Sequence, residues 1–331
     1  MRLITPLLFS LSLVVLAGCL PEESDRAAFL GLTAESVSAA EDVAYSAVRR
    51  YTDYVGMVPG EHTERFTRAD RERYRVDLLT LNGLSRGEMA SPGEVEQFDQ
   101  LQALFQGGRG RYVAKGRDFR LRDLELFEAN YSYVLYDAPV MIAGRLADVV
   151  EVTPHFGERP SYVAWIDRET SVTLKYLEFL SNGALAAEME VLSFDAQPDL
   201  SSVQFPVPPV TEPVELDEVQ VQSFAPFQVL SPTYLPRGFA RQSIRARQLT
   251  GVSALTWSYS DGLQELFMMQ YTEQGGGSTG EALPARVGMT AYGPLTDAEF
   301  AVIGTQVHVG AKLDVGEVMT FIESLDLLIE D

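Results

Sequence analysis

The sequence predicts an α+β protein built from two antiparallel, β-rich blocks, and three observations carry that expectation. From Arg111 to Phe194 the apolar pattern repeats every two residues and is rich in β-branched and aromatic side chains, as in strands. The connections between these strands are short, with Asn182-Gly183 as a two-residue hairpin signal, which favours antiparallel pairing over a wound parallel sheet. A proline-rich stretch, Gln197 to Pro226, then separates this block from a second strand-rich run that closes on an amphipathic helix.

In chain order, Val37, Ala40, Ala44, Ala47, Tyr51 and Val55 recur at intervals of three and four, the spacing of one helix face, and Val58-Pro59-Gly60 ends that helix. Strands follow at Glu64 to Thr67 and Tyr74 to Leu81, with Asn82-Gly83 as a turn. Ser91-Pro92-Gly93-Glu94 opens a helix: Ser91 caps, Pro92 sits where no N–H is needed, and Glu94 completes a capping box. Further strands are expected at Asn130–Tyr136, Val149–Thr153, Ser161–Asp167, Val172–Phe179 and Ala187–Phe194. Gln197 to Pro226 holds six of the 17 prolines and reads as an extended linker or edge segment. The second block begins near Phe227, with strands at Ala254–Tyr259, Glu265–Tyr271, Met289–Ala291 and Gln306–Val309 and a loop tip at Gly275-Gly276-Gly277. Its final helix has Asp314 and Glu317 at capping spacing and Val315, Val318, Met319, Ile322 and Leu325 as its apolar stripe.

Composition narrows the function. Against 26 Lys plus Arg stand 47 Asp plus Glu, a formal net charge of −21, so binding to nucleic acid phosphates is excluded as the main task. A single cysteine precludes an intrachain disulfide and a cysteine-rich zinc site. That cysteine, Cys19, follows Leu16-Ala17-Gly18 at the end of an uncharged run of about fourteen residues, Leu3 to Leu16, preceded by Arg2. The run is too short for a bilayer core of ~30 Å, which takes ~20 helical residues, and fits the apolar part of a secretory leader. Its ending resembles a bacterial lipobox, so Cys19 is the expected lipid attachment site, 1–18 the leader and 19–27 a polar tether. The mature chain then faces the periplasm or exterior of the cell envelope, anchored by acyl chains. Leu20, where an aspartate would mark inner-membrane retention, leans toward the outer membrane.

No catalytic constellation emerges. His62, His155 and His308 are far apart with no metal-ligand spacing, and no nucleophile elbow occurs, so neither a metal, a cofactor nor an enzymatic activity is expected. Arg109, Arg111, Lys115 and Arg117 open a cationic run in an otherwise acidic chain, a candidate patch for anionic ligands, with a solvated strand face as the plainer alternative. Strands that are apolar on both faces need covering on both. The cover is either the helices or an acyl chain, and Tyr133, Trp165, Leu174, Tyr176 and Met189 are the candidate lining of such an apolar cavity.

Ala138 to Arg145 with its Ala143-Gly144-Arg145 ending, then Arg159-Pro-Ser-Tyr-Val-Ala-Trp-Ile-Asp167, Thr170, Leu174, Asn182-Gly183 and Phe194, resemble the MucB/RseB family of periplasmic regulators of the sigma-E envelope-stress response. Phe227 to Phe239, with its Pro-x-Tyr-Leu-Pro-x-Gly-Phe core, and Trp257 resemble that family's C-terminal domain. The resemblance implies a half-open antiparallel barrel of the LolA/LppX kind over 28–196, its concave side plugged by helices, a linker over 197–226, and a small C-terminal antiparallel sheet carrying a helix over 227–331. It further implies a binding module for a membrane anti-sigma factor or another envelope protein, with lipid or an acyl chain sensed in the N-terminal cavity. A periplasmic lipid or lipoprotein carrier is the rival reading. Two departures stand out, the lipobox and the strong acidity, and no binding residue carries over through a tight motif.

Overall fold

A computed structural model describes residues 43–54, 60–70, 73–106, 119–156, 159–205, 214–249, 252–272, 286–289, 296–302 and 305–327. Residues 1–18, expected to be a leader, Cys19, the expected tether over 19–27, Arg109, Arg111, Lys115, Arg117 and the glycine triplet at 275–277 lie outside these residues.

The first block is one eight-stranded antiparallel sheet in the order β3-β2-β1-β8-β7-β6-β5-β4. Its strands are β1 (Tyr45–Asp53), β2 (Gly60–Arg68), β3 (Tyr74–Leu81), β4 (Tyr131–Ile142), β5 (Arg145–Pro154), β6 (Ser161–Asp167), β7 (Thr173–Phe179) and β8 (Leu185–Asp195). β3 and β4 are its two edges, so the sheet is open.

In place of the helix expected over residues 37–55, the described part, 43–54, carries β1 at Tyr45–Asp53. Tyr45, Ala47, Arg49 and Tyr51 alternate inward, and the charge at Arg49 hides the two-residue period. Arg49 is only 3% exposed because its Nε donates to Glu64 Oε1 on β2 at 3.0 Å and its guanidinium lies 4.1 Å from the Phe66 ring centroid. The remaining strands of this block fall where the period placed them. Two-residue turns with both φ positive are found at the expected Asn82-Gly83 (φ 51° and 80°), between bridged Leu81 and Leu84, and at Ala143-Gly144 (φ 50° and 77°), between paired Ile142 and Arg145. At the other expected site, Asn182-Gly183, Leu180 N bonds Ala184 O at 2.8 Å instead, enclosing a three-residue loop in which Gly183 has φ 79°.

One face of the sheet is closed by helix α1 (Pro92–Gln106), the segment at Phe119 and Leu121, and helix α2 (Leu124–Asn130), whose Phe98, Leu101 and Phe127 join the strands' apolar core. The predicted capping box starts α1: Glu94 N donates to Ser91 Oγ at 3.3 Å and Ser91 N to Glu94 Oε2 at 3.0 Å. Ser91→Ala should lower stability by about 1 kcal/mol, read as a small fall in the thermal midpoint.

The second block is larger than the small sheet expected. Seven antiparallel strands run β14-β15-β16-β13-β12-β11-β9, beside a ribbon of β10 (Leu230–Pro232) and β17 (Leu325–Leu327). The seven are β9 (Val214–Leu216), β11 (Ala240–Leu249), β12 (Val252–Ser260), β13 (Glu265–Tyr271), β14 (Arg286–Met289), β15 (Thr296–Val302) and β16 (Thr305–Ala311). Part of the stretch read as a linker belongs here: β9 pairs with β11, and helix α3 (Glu218–Phe224) follows with a capping box of Asp217 and Gln220. Prolines crowd the stretch but spare 214–224, and Val221 is fully buried in the second core. Helix α4 (Val315–Glu323) starts at its predicted cap, Asp314, and buries Val318 and Phe321 beside Trp257 and Tyr259.

Candidate functional site

The hairpin linking β12 to β13 leaves its own sheet and ends in the core of the first. Leu263, 4% exposed, is packed among the first sheet's apolar residues rather than those of the second. The tip is shaped by its own bonds: Asp261 Oδ1 accepts from Leu263 N at 3.0 Å and Gln264 N at 2.7 Å, and Ser260 Oγ accepts from Gly262 N at 3.0 Å. Gly262 has φ +102°, and a Cβ there would lie 2.2 Å from Phe127 N, so only glycine lets the tip approach α2 this closely.

The socket is polar around an apolar centre. Asp261 Oδ2 accepts from Tyr131 OH and from Arg159 Nη1, each at 2.7 Å, and the Asp261–Arg159 pair is almost wholly shielded, with side-chain exposures of 0% and 4%. Gln264 Nε2 donates to Tyr162 OH at 2.6 Å, while Gly262 O accepts from Arg122 N at 2.8 Å and Asp123 N at 3.3 Å. Asn130 Nδ2 donates to Gly238 O and Asp261 O, both at 3.0 Å. A second buried ion pair bridges the sheets: Lys312 Nζ lies 2.7 Å from Glu178 Oε2 and 5.6 Å from the Tyr176 ring centroid.

Burial, then the neighbouring Asp261 carboxylate, pushes the Tyr131 phenol well above its ordinary 10.0. Burial, then Glu178, does the same to Tyr162. A group whose pKa is raised on folding contributes fully below its unfolded pKa and loses that contribution as pH rises toward the folded value. Stability should therefore hold up to about pH 10 and fall above it as the unfolded chain ionises first, with a shallower fall in Tyr162→Phe, measured by urea unfolding across that range.

The proposed cavity residues divide between faces. Leu174, Tyr176 and Met189 point into the first core and are almost fully buried; Tyr133 packs against it from the same side, paired with Val152. Trp165 pairs with Val149 and Lys175 on the opposite face, where the Lys175 ammonium stands 5.6 Å from its ring centroid. The inward-facing candidates are thus covered by side chains of the same chain. The three histidines stay apart: His62 stacks on Tyr51, His155 meets the Ala129 carbonyl, and His308 lies against Phe267. Among the described residues no group of His, Cys, Asp and Glu could hold a metal ion, and no helix is long and apolar enough to cross a membrane.

The motif residues quoted for the family resemblance also find places. Arg145 donates to both Asp167 oxygens at 2.8 Å, Thr170 Oγ1 donates to Asp167 at 2.6 Å, and the Arg145 guanidinium sits 5.0 Å from the Phe194 ring centroid. Arg159 and Tyr162, from the same motif run, line the socket. The hairpin tip itself is absent from the sequence expectations. Its available signal is Asp261-Gly262, a turn pair between two recognised strands, followed by an apolar Leu263 where turns are usually polar.

The sequence profile described as the MucB/RseB N-terminal domain matches residues 61–209. The sigma-E factor regulatory protein RseB of Escherichia coli K12 is 28% identical over 202 residues, 60% of this chain and 62% of that protein. RseB of Salmonella typhimurium is 28% identical over 196 residues, 57% of this chain and 59% of its own length. The chain thus matches under two thirds of these relatives. Among solved structures, MucB in the Pseudomonas aeruginosa MucA/MucB complex is similar over 91% of this chain and 99% of that one, with a TM-score of 0.50 at 17% identity, a likeness of fold. Residues 61–209 of this chain thus match the MucB/RseB N-terminal domain, the part of the chain for which the family likeness holds in sequence.

Proposed function

We propose that this protein is an extracytoplasmic lipoprotein that regulates an envelope-stress sigma factor by binding the exported part of a membrane anti-sigma factor. The observation that carries this reading is the MucB/RseB domain match, whose relatives are sigma-E factor regulators, joined to a fold likeness that runs through both sheets to a MucB structure solved with MucA. Acylation at Cys19 holds the chain at the membrane, and the open first sheet acts as a half-open barrel whose concave side senses an acyl chain. The work is done by grasping, without a chemical step. The chain's own side chains cover the inner face of the first sheet, which favours a sensor that opens over a carrier that travels loaded.

Full-length protein immobilised and exposed to detergent-solubilised membranes of its own cell should retain a single-pass protein encoded beside a sigma factor. Retention of a different class of envelope protein, or of nothing, would reject the anti-sigma reading. Mass analysis of the mature chain should find it beginning at an acylated Cys19; an unmodified thiol rejects the anchor alone.

A further inference from the structure

We propose that the β12–β13 hairpin tip is a built-in pseudo-ligand: Asp261 and Leu263 occupy the place of an anionic amphiphile's headgroup and chain, and such an amphiphile binds by driving the tip out. The inference rests on the acyl-sensing reading and adds what closes the site and what opens it.

The geometry has three parts. The tip offers a carboxylate and an apolar side chain two residues apart, one held by Arg159 and Tyr131 and the other sunk in the first sheet's core. That combination is the recognition pattern of a carboxylate or phosphate on an acyl chain. Next, the bonds from Leu263 N and Gln264 N to Asp261 Oδ1, and from Gly262 N to Ser260 Oγ, are internal to the tip. The tip therefore keeps its shape whether seated or not, so leaving requires no unfolding. Finally, the groups left behind include the Arg159 guanidinium, the Tyr131 and Tyr162 hydroxyls and the Arg122 and Asp123 amides, which are all donors to an incoming anion. Withdrawal breaks the buried Asp261–Arg159 pair, so the closed arrangement is the resting one. A ligand that needs a minor, open state binds with its affinity reduced by that state's population, and removing the plug returns the difference.

The test uses the whole mature chain, with palmitate as the probe and hydrogen exchange at the Arg122 and Asp123 amides as the readout, since both amides are tied to Gly262 O in the closed form. Saturating palmitate should speed their exchange, and Leu263→Ser should raise palmitate affinity by about tenfold or more, as expected when a competing plug is lost. Asp261→Asn serves as a second variant should Leu263→Ser fold poorly, and should shift affinity in the same direction. Hexadecyl phosphate acting like palmitate identifies a phosphate-headed source, and palmitate acting alone a carboxylate one; both support the proposal. Uncharged hexadecanol matching palmitate overturns the headgroup mimicry. Palmitate binding while the two amides stay protected overturns the plug but leaves acyl sensing intact. Failure of palmitate and hexadecyl phosphate to bind even Leu263→Ser, with its amides already exchanging fast, overturns both.

Discussion

Asp261→Ala should destabilise the protein by about 3–5 kcal/mol, the cost of removing one member of a buried ion pair. The carboxylate serves four donors at once: Arg159, Tyr131 and two amides of its own turn. Without it Arg159 stays buried and uncompensated, the Tyr131 hydroxyl loses its acceptor, and the tip loses the bonds that shape it. The loss should also have a signature in cooperativity. The two tryptophans lie one in each sheet, Trp165 on β6 and Trp257 on β12, so single-tryptophan variants report on each block separately. In the parent chain the two urea transitions should coincide; in Asp261→Ala the sheets should unfold at different denaturant concentrations. Coincident transitions in the variant would mean that the blocks are coupled elsewhere.

Arg49→Met should cost a comparable amount, about 3–5 kcal/mol, through contacts confined to the first sheet. Glu64 has no exposed side-chain surface and relies on Arg49, with His62 Nε2 at 3.5 Å as a weaker neighbour. The double variant Arg49→Met with Glu64→Leu should recover most of the loss, because well-packed apolar replacements spare both desolvation penalties. Thermal unfolding of the two single variants and the double variant closes the cycle. With the Asp261–Arg159 joint intact, the Trp165 and Trp257 transitions should shift together in Arg49→Met.

These two buried pairs also mark where the sequence was hardest to read. Strands whose inward residues are all apolar, such as Tyr162, Ala164 and Ile166 on β6, announce themselves by alternation. β1 puts Arg49 among its inward positions, and the remaining Ala47 and Tyr51 fit a helix face as well as a strand, so local pattern chose wrongly where a partner on another strand decides. Caps are local and were legible: Ser91 with Glu94, and Asp314 with Glu317. The Asp217–Gln220 box was equally available but stood inside a proline-rich stretch that drew the whole segment toward a linker. The socket was invisible for a different reason. Arg159 and Asp261 are 102 residues apart, and nothing in either neighbourhood names the other. Leu174, Tyr176 and Met189 share the inner face of the sheet, whereas Trp165 lies on the other, because the register of β6 sets it beside Val149 and Lys175.

The position of β1 has a mechanical consequence. It is the first described strand, yet it lies third in the sheet, hydrogen-bonded along its length to β2 on one side and β8 on the other. Tension arriving through the residues before Tyr45 is taken up by two rows of backbone bonds loaded in shear, whereas an edge strand would unzip bond by bond. A chain tugged from that end should give way late and all at once, and the strand that holds it cannot be completed until β8 has been made.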